Sequence, residues 1–491
     1  MATSDRAEMR KVAIVTLGCG RNEVDSEHAA GLLAASGFEV VDDPERADAV
    51  VVNTCAFIES AKTESIETVL GATELKERGG AKAVLVMGCM AERYTQELRA
   101  ELPEADAVVP FADYTRLPEL LRGHPEVTNR PGTSPTTAPA QVTAPAPSSG
   151  LVPPGRRALP LVFPAPAGAA FPSRPAPRGP VALVKLAEGC DRDCSFCAIP
   201  SFRGRFRSRR PTEVLDEVAW LAGRGVSEIG LVAENSTSYG KDLGGREALV
   251  RLLRDLATVD GLRRVRLNYL QPDEITPGLL EEMAANPVVC SYFDLSLQHA
   301  SAPVLRRMRR GGSREAFLQL VGRIRDLDPD AAFRSNFILG FPGERRADVR
   351  ELEEFLEQAR LDWVAFFPYS PEDGTSALAL DGRVRSSTAR ARVERLQELQ
   401  DRILTEVQAG WIGRRLEVLV ERVEPDGAVE GRSFREGIDA DGIVRVEGAA
   451  AEVGAHLEVE IIAAEGPELV ARPLDRAPAV PVLATTAQRK V

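Results

Sequence analysis

Short apolar runs alternate with helical patterns through most of this chain, and that alternation is what most narrows its fold. Before residue 124 the runs are KVAIVTL, DAVVVNT and KAVLVMG. A helical pattern follows each: about Glu23 to Ala35, then one through Glu59, Ile66 and Leu70, then MAERYTQELRAE. Short apolar strands spaced by helices specify a parallel sheet. The pattern returns on a larger scale from Val181 to Ser370, with strand candidates VALVKL, EIGLVA, RRVRLNYL, YFDLSLQ, FRSNFILGF and WVAFFPYS. Intervening stretches such as PTEVLDEVAWLAGR and GREALVRLLRDLA read as helices. Six such units predict a partial α/β barrel, with functional loops at the carboxyl ends of its strands.

Proline separates the two halves. Of 34 prolines, 15 lie between Pro125 and Pro180 in a stretch of Ala, Ser, Thr and Gly with little that can form a core. Residues 124–179 therefore read as a linker or insertion. Beyond Gly410 the runs RLEVLVERV, GIVRVEG and HLEVEIIA alternate apolar and polar residues between turn signals, which predicts a small β-barrel. The expected fold is thus α/β: an open domain over 1–123, the Pro/Ala-rich segment over 124–179, a partial (β/α)6 TIM-like barrel over 180–408, an all-β barrel over 409–475 and a tail over 476–491. A chain of 491 residues is long enough for about three such cores.

The start, MATSDRAEMRKVAIV, carries early acids and no apolar run of signal-peptide type. The longest apolar stretch, ALPLVFPAPAGAAF, is broken by prolines, so no membrane span is expected and the protein reads as cytoplasmic. Seven cysteines in such a chain point to metal ligands or reactive thiols rather than disulfides. A net charge of −12 disfavours a surface that holds nucleic acid by electrostatics alone and favours a neutral or basic partner.

Two cysteine sets stand out. Cys19, Cys55 and Cys89 each sit just past a strand of the first sheet. Carboxyl ends of parallel strands share one edge, so residues more than thirty positions apart are able to meet there. The bland alternative is three buried core thiols. The second set, Cys190, Cys194 and Cys197 in GCDRDCSFC, follows the first barrel strand. Its spacing fits no paired zinc site, and His28, His124, His299 and His456 are too scattered to complete one. Iron–sulfur clusters take thiolate ligands, ordinarily four. Three leave one iron of a four-iron cluster open to a small molecule.

With Phe196 before the last cysteine, this spacing resembles the signature of the radical S-adenosylmethionine enzymes. In that family the open iron chelates S-adenosylmethionine, and an electron from the cluster releases a 5'-deoxyadenosyl radical. GCGRNEVDSE, NTCAFIESAKTES, VMGCMAERY and KLAEGCDRDCSFCAIPSFRGRFRSR occur in the order seen in methylthiotransferases of that superfamily. The resemblance spans nearly all of the chain outside the linker and tail. It implies two 4Fe-4S clusters, one on Cys19, Cys55 and Cys89 and one on Cys190, Cys194 and Cys197, with S-adenosylmethionine as cofactor and an external electron donor. CAIPSFRGRFRSR, SLQHASAPVLRRMRRGGS and YSPEDGTSA are most similar to the branch that adds a methylthio group to the β-carbon of an aspartate in small-subunit ribosomal protein twelve. One departure is CGRN, where that branch commonly has Cys-Pro-Lys-Asn; Gly20 and Arg21 keep a tight turn and a positive charge. The scheme implied is methylation of sulfur at the first cluster, radical abstraction of a β-hydrogen started at the second, and capture of the methylthio group. No side chain is needed as a general base, because an unactivated hydrogen is beyond a tuned base.

The final barrel falls where this family has its TRAM domain. A module gripping RNA needs a basic surface, yet from 410 to 472 seven arginines face fourteen carboxylates. An acidic barrel suits a basic ribosomal protein instead, the alternative being a solvated surface without a partner. Two other functions remain open: the same chemistry on a tRNA adenosine, and a non-catalytic iron–sulfur electron carrier or scaffold. Glu234, Asn235 and Gln298 end strands at the catalytic edge and are candidates, with Phe196, to contact S-adenosylmethionine, against ordinary loop capping. Arg203, Arg205, Arg207, Arg209 and Arg210 form either a nucleic-acid stripe or a loop that holds carboxylates. LGFPGE at 339–344 reads first as a turn, Cys290 as a core residue and VLRRMRRGG as a solvated helix end.

Overall fold

The computed structural model describes residues 11–78, 80–122, 174–245, 247–438 and 440–474. Most of the 124–179 segment, and the tail over 476–491, lie outside the described residues. The chain divides near Gln400 into two compact units.

The first unit begins with a parallel sheet in the order β2-β1-β3-β4-β5. Its strands are β1 (Lys11–Thr16), β2 (Glu39–Val41), β3 (Ala49–Thr54), β4 (Ala83–Gly88) and β5 (Ala107–Val108). Every residue of β3 and β4 is buried, which is why AVVVNT and AVLVMG read as unbroken runs rather than alternating ones. Helix α1 (Gly20–Ala35) starts earlier than the expected Glu23, because Cys19 has extended backbone and serves as the N-cap. Helix α2 (Glu59–Glu77) follows β3, and the short α3 (Cys89–Arg93) follows β4 without a connecting residue.

The barrel strands are β6 (Val181–Lys185), β9 (Glu228–Val232), β10 (Arg264–Leu267), β11 (Tyr292–Gln298), β12 (Ala332–Leu339) and β13 (Trp363–Pro368). A small hairpin, β7 (Ala187–Glu188) with β8 (Arg207–Ser208), brackets the second cysteine set. The strands form two parallel trios, β10-β9-β6 and β11-β12-β13. The trios meet through isolated parallel bridges at Val265–Val289 and Leu270–Leu295, so the six strands run in sequence order around an open arc. This is the expected partial barrel, with a loosened seam between its third and fourth strands.

Buried charges join the sheet to the barrel. Lys185 on β6 reaches Asp25 of α1 at 2.5 Å and also pairs with Glu188. Glu217, in the helix Pro211–Ala222, accepts from Arg174 at 2.7 Å and Arg209 at 2.5 Å and lies 3.8 Å from His28 of α1. Against the effect of burial, His28, Arg209 and Arg174 hold the Glu217 carboxyl well below the usual carboxylate range. Arg203 and Arg209 are each 2% exposed, so RGRFRSRR is no continuous surface stripe. Two of its cations satisfy neighbouring acids, as the carboxylate alternative expects.

The second unit is a closed barrel of β14 (Arg415–Val423), β15 (Val429–Arg432), β16 (Val444–Val446), β17 (His456–Glu465) and β18 (Glu468–Pro473), in the order β14-β15-β16-β18-β17. Val418, Val420, Val429, Val444, Val459 and Ile461 fill its core.

Candidate functional site

The first three cysteines lie at one edge because β1, β3 and β4 are neighbours in the sheet. Thr54 and Gly88 are register partners, so Cys55 and Cys89 leave adjacent strands side by side. Asn22 ties the three loops together: its Nδ2 donates to Leu17 O at 2.8 Å and Thr54 O at 3.1 Å, and its Oδ1 lies 3.5 Å from Cys89 Sγ. Asn53 Nδ2 returns the contact to Asn22 O at 2.8 Å. Ser65 Oγ receives the Cys55 amide at 3.0 Å and donates to the Cys55 carbonyl.

Two glycines make the close approach possible. A Cβ on Gly18 would stand 3.0 Å from Cys55 Sγ, and one on Gly88 would stand 2.4 Å from Thr54 O. Both have left-handed backbone, φ +97° and +96°.

Burial opposes ionisation of the Cys19 thiol, but Arg21, Arg203 and the amides of Asn22 and Arg21 outweigh it and bring its pKa below the usual value. Cys55 moves upward through burial, and burial pushes Cys89 up to about 12.

The second triad closes around backbone contacts. Cys190 N donates to Gly204 O at 3.1 Å and Cys197 N to Cys194 O at 3.2 Å. Ser195 is pinned by Met308 O at 3.0 Å and Arg307 O at 2.7 Å. Burial pushes Cys190 up to about 11 and Cys197 up to about 12. Arg310 is buried, directs Nη1 to Cys194 Sγ at 3.8 Å and bonds Ser296 O. VLRRMRRGG is a helix end with Arg306 and Arg309 exposed, as expected, but Arg307, Met308 and Arg310 turn inward and support the cysteine loop.

Phe196 is half-buried in that loop. Glu234 follows β9 and faces Arg21 Nε at 3.3 Å and Arg203 Nε at 3.7 Å. Asn235 donates to Ser238 Oγ at 2.9 Å and Glu274 Oε1 at 3.0 Å and accepts from Thr237, a loop-capping arrangement. Gln298 ends β11 in the left-handed region at φ 70°, where a non-glycine residue is strained. Glu344 of LGFPGE accepts from Gly340 N at 2.8 Å, closing the predicted turn, and Cys290 is buried as expected.

Two residues bridge the triads. Arg21 Nη1 donates to Ala233 O at 3.2 Å, and a Cβ on Gly20 would lie 2.6 Å from Leu183 Cδ1 of β6. The Gly20-Arg21 pair is therefore a docking point between sheet and barrel. Arg203 donates through Nη2 to Cys89 Sγ at 3.2 Å. The sequence marks these arginines only as basic loop residues, since their partners lie far along the chain.

Three thiols at each place are a donor set suited to iron–sulfur clusters rather than to oxygen-seeking cations. Among the described residues, no three His, Cys, Asp or Glu side chains gather around a point that would take a single metal ion. Ligands to separate irons of one cluster need no such convergence.

Residues 11–110 match uncharacterized protein family UPF0004, 184–356 the radical SAM superfamily and 412–474 the TRAM domain. Over 95% of its length the chain is 48% identical to ribosomal protein uS12 methylthiotransferase RimO of Nocardioides sp., covering 98% of that protein. It is 50% identical to RimO of Saccharopolyspora erythraea, over 95% of this chain and 96% of that one. The chain belongs to the ribosomal protein uS12 methylthiotransferase family. As a radical SAM methylthiotransferase of that family it is an enzyme using S-adenosylmethionine and a 4Fe-4S cluster. Its fold is also similar to the radical S-adenosylmethionine methyltransferase TsrM from Kitasatospora setae, with a TM-score of 0.50 and 18% identity over 74% of this chain and 75% of that one. No helix of the described methylthiotransferase is long and apolar enough to cross a membrane.

Proposed function

We propose that this methylthiotransferase modifies the β-carbon of an aspartate in ribosomal protein uS12, in the cytoplasm and with electrons from an external donor. Cys190, Cys194 and Cys197 hold the cluster that meets S-adenosylmethionine, and Cys19, Cys55 and Cys89 hold a second cluster. The observation that carries this reading is the arrangement of two thiol triads at strand carboxyl ends, joined by Arg203, which contacts Cys89 from the loop that packs on Cys190.

A 4Fe-4S cluster held by Cys190, Cys194 and Cys197 would supply the electron for reductive cleavage of S-adenosylmethionine. The chain's own residues hold and shield that chemistry. Ser195, Met308 and Arg310 fix the barrel triad's loop, and Asn22, Asn53 and Ser65 fix the other. Phe196 in the barrel triad's loop and Gln298 at the carboxyl end of β11 are the residues assigned to the cofactor, Glu234 acts through Arg21 and Arg203, and Asn235 shapes the loop that carries Glu234.

The acidic barrel supports a basic protein substrate. Arg422, Arg432, Arg445 and Arg472 already pair with Glu430, Glu421, Asp426 and Glu460. Four of its seven arginines are thus occupied internally, which leaves carboxylates in surplus and little basic surface for a tRNA backbone.

Mass spectrometry of ribosomal proteins from cells with and without the gene tests this reading. The expected result is a methylthio mass on one uS12 aspartate that disappears on deletion. A mass lost from a tRNA adenosine instead establishes the tRNA function. Reduced protein that forms no 5'-deoxyadenosine from S-adenosylmethionine points to the electron-carrier function.

A further inference from the structure

Arg203 occupies a position that neither triad requires for ligation. It lies six residues past Cys197 and is 2% exposed. Arg203 is followed by Gly204, whose carbonyl accepts the Cys190 amide at 3.1 Å, so this stretch of chain belongs to the barrel triad. The Arg203 side chain belongs to the other: Nη2 meets Asn22 Oδ1 at 2.7 Å and Cys89 Sγ at 3.2 Å. Asp25 and Glu188 hold the guanidinium at 3.2 and 3.1 Å, and the Phe111 ring lies 4.9 Å from its carbon. These contacts come from both the sheet and the barrel. The guanidinium has little freedom to leave the sulfur, and in so dry a setting a charge-assisted hydrogen bond is strong.

An N–H donor and a positive charge at a ligand sulfur stabilise electron density there and raise a cluster's reduction potential. Resting on the two-cluster reading above, we propose that Arg203 is a positioning residue that couples the centres, setting the reduction potential of the amino-terminal one through Cys89 Sγ while the carbonyl of the adjoining Gly204 fixes the loop of the other. The chain thereby ties the electronic state of the sulfur-bearing centre to the same loop that closes around the S-adenosylmethionine centre. Arg310 at Cys194, 3.8 Å away, is a weaker contact confined to the barrel triad and has no such reach.

The test is potentiometric titration followed by electron paramagnetic resonance on anaerobically reconstituted full-length protein. Each centre is isolated in a background where the other triad is changed to alanine, and iron and sulfide are measured throughout. Arg203→Gln is expected to move the amino-terminal midpoint to lower potential and leave the barrel midpoint in place. Arg203→Lys, which keeps charge but not the planar fork, is expected to fall between wild type and Arg203→Gln. Arg205→Gln, on an exposed side chain 3.7 Å from Asp191, is expected to move neither midpoint. Selective loss of amino-terminal iron from Arg203→Gln also supports the proposal, with the Lys variant then supplying the midpoint.

An unmoved amino-terminal midpoint in iron-replete Arg203→Gln overturns it, as does equal movement or equal iron loss at both centres. Failure of the two-cluster reading looks different: the Cys19→Ala/Cys55→Ala/Cys89→Ala protein then retains all the iron of wild type, and the proposal falls with that reading.

Discussion

Glu234 and Arg21 form an ion pair across the joint between sheet and barrel, with Nε 3.3 Å from Oε1 and the carboxylate side chain only 1% exposed. Arg203 approaches the same oxygen at 3.7 Å. Glu234→Gln leaves two buried guanidinium groups facing a neutral amide. Breaking a buried pair from one side costs about 3–5 kcal/mol. The expected outcome is a lower urea midpoint for the first unit. A midpoint equal to wild type would exclude this carboxylate as a source of the first unit's stability.

Gly18 offers a sharper handle on one triad. Gly18→Ala introduces strain at φ +97° and a methyl 3.0 Å from Cys55 Sγ and 2.9 Å from its Cβ. The thiol must shift, and β3 is too tightly packed to follow. Iron analysis of reconstituted Gly18→Ala is expected to show loss at the amino-terminal triad with the barrel cluster kept. Destabilisation on the order of 1–3 kcal/mol accompanies it. Full iron content at both triads would exclude this crowding.

Both triads were legible from local patterns: three apolar runs lead to Cys19, Cys55 and Cys89 and parallel strands align those ends, while Cys190, Cys194 and Cys197 share the single motif GCDRDCSFC. β2 and β5, with three and two residues, are too short to carry a pattern, so the sheet is wider than the runs indicate. In the second unit, β15 contains Gly431 and β18 ends at Pro473, residues that read as turns rather than strands. Arg203 and Arg310 escaped for a different reason. Their sulfur partners lie 114 and 116 positions away, and a basic loop looks the same whether its charges meet solvent, phosphate or a thiol. Asn235 was visible as a strand-end residue, but its amide is engaged by Ser238 and Glu274 within its own loop region.

His299 gives the enzyme a pH dependence unrelated to the thiols. Its side chain is fully buried, Nδ1 accepts from Ala300 N at 3.0 Å and Ser301 N at 2.9 Å, and Nε2 faces Glu344 Oε2 at 3.7 Å. Burial pushes the imidazole down to about 4; Asp348 favours its protonation and Arg392 opposes it. The unfolded chain takes up this proton near pH ~6.5. Between those values the unfolded state binds more protons, so stability is full above ~6.5 and is lost as pH falls toward 4, by about 3 kcal/mol in all. His299→Asn can still accept from the two amides. It is expected to flatten the melting temperature against pH over that window, and a wild-type slope in the variant would rule His299 out as its source.

The acidic barrel yields the last prediction. Glu417 on β14 and Glu458 on β17 are direct cross-strand partners, and Glu458 is exposed. Like charges directly opposite are unfavourable in a sheet, and the nearby His456 offsets this by contacting Glu417 at 2.9 Å. Keeping such a pair makes sense if a cationic partner completes it. Glu417→Lys with Glu458→Lys reverses both charges on a face remote from the barrel's apolar core. Binding of purified basic uS12 is expected to weaken on the order of tenfold, about 1.4 kcal/mol, with a shallower dependence on salt. Calorimetric titration at two ionic strengths reads both effects, and circular dichroism checks that the barrel remains folded. An unchanged Kd at low salt would leave this face as solvated surface and move substrate recognition elsewhere in the molecule.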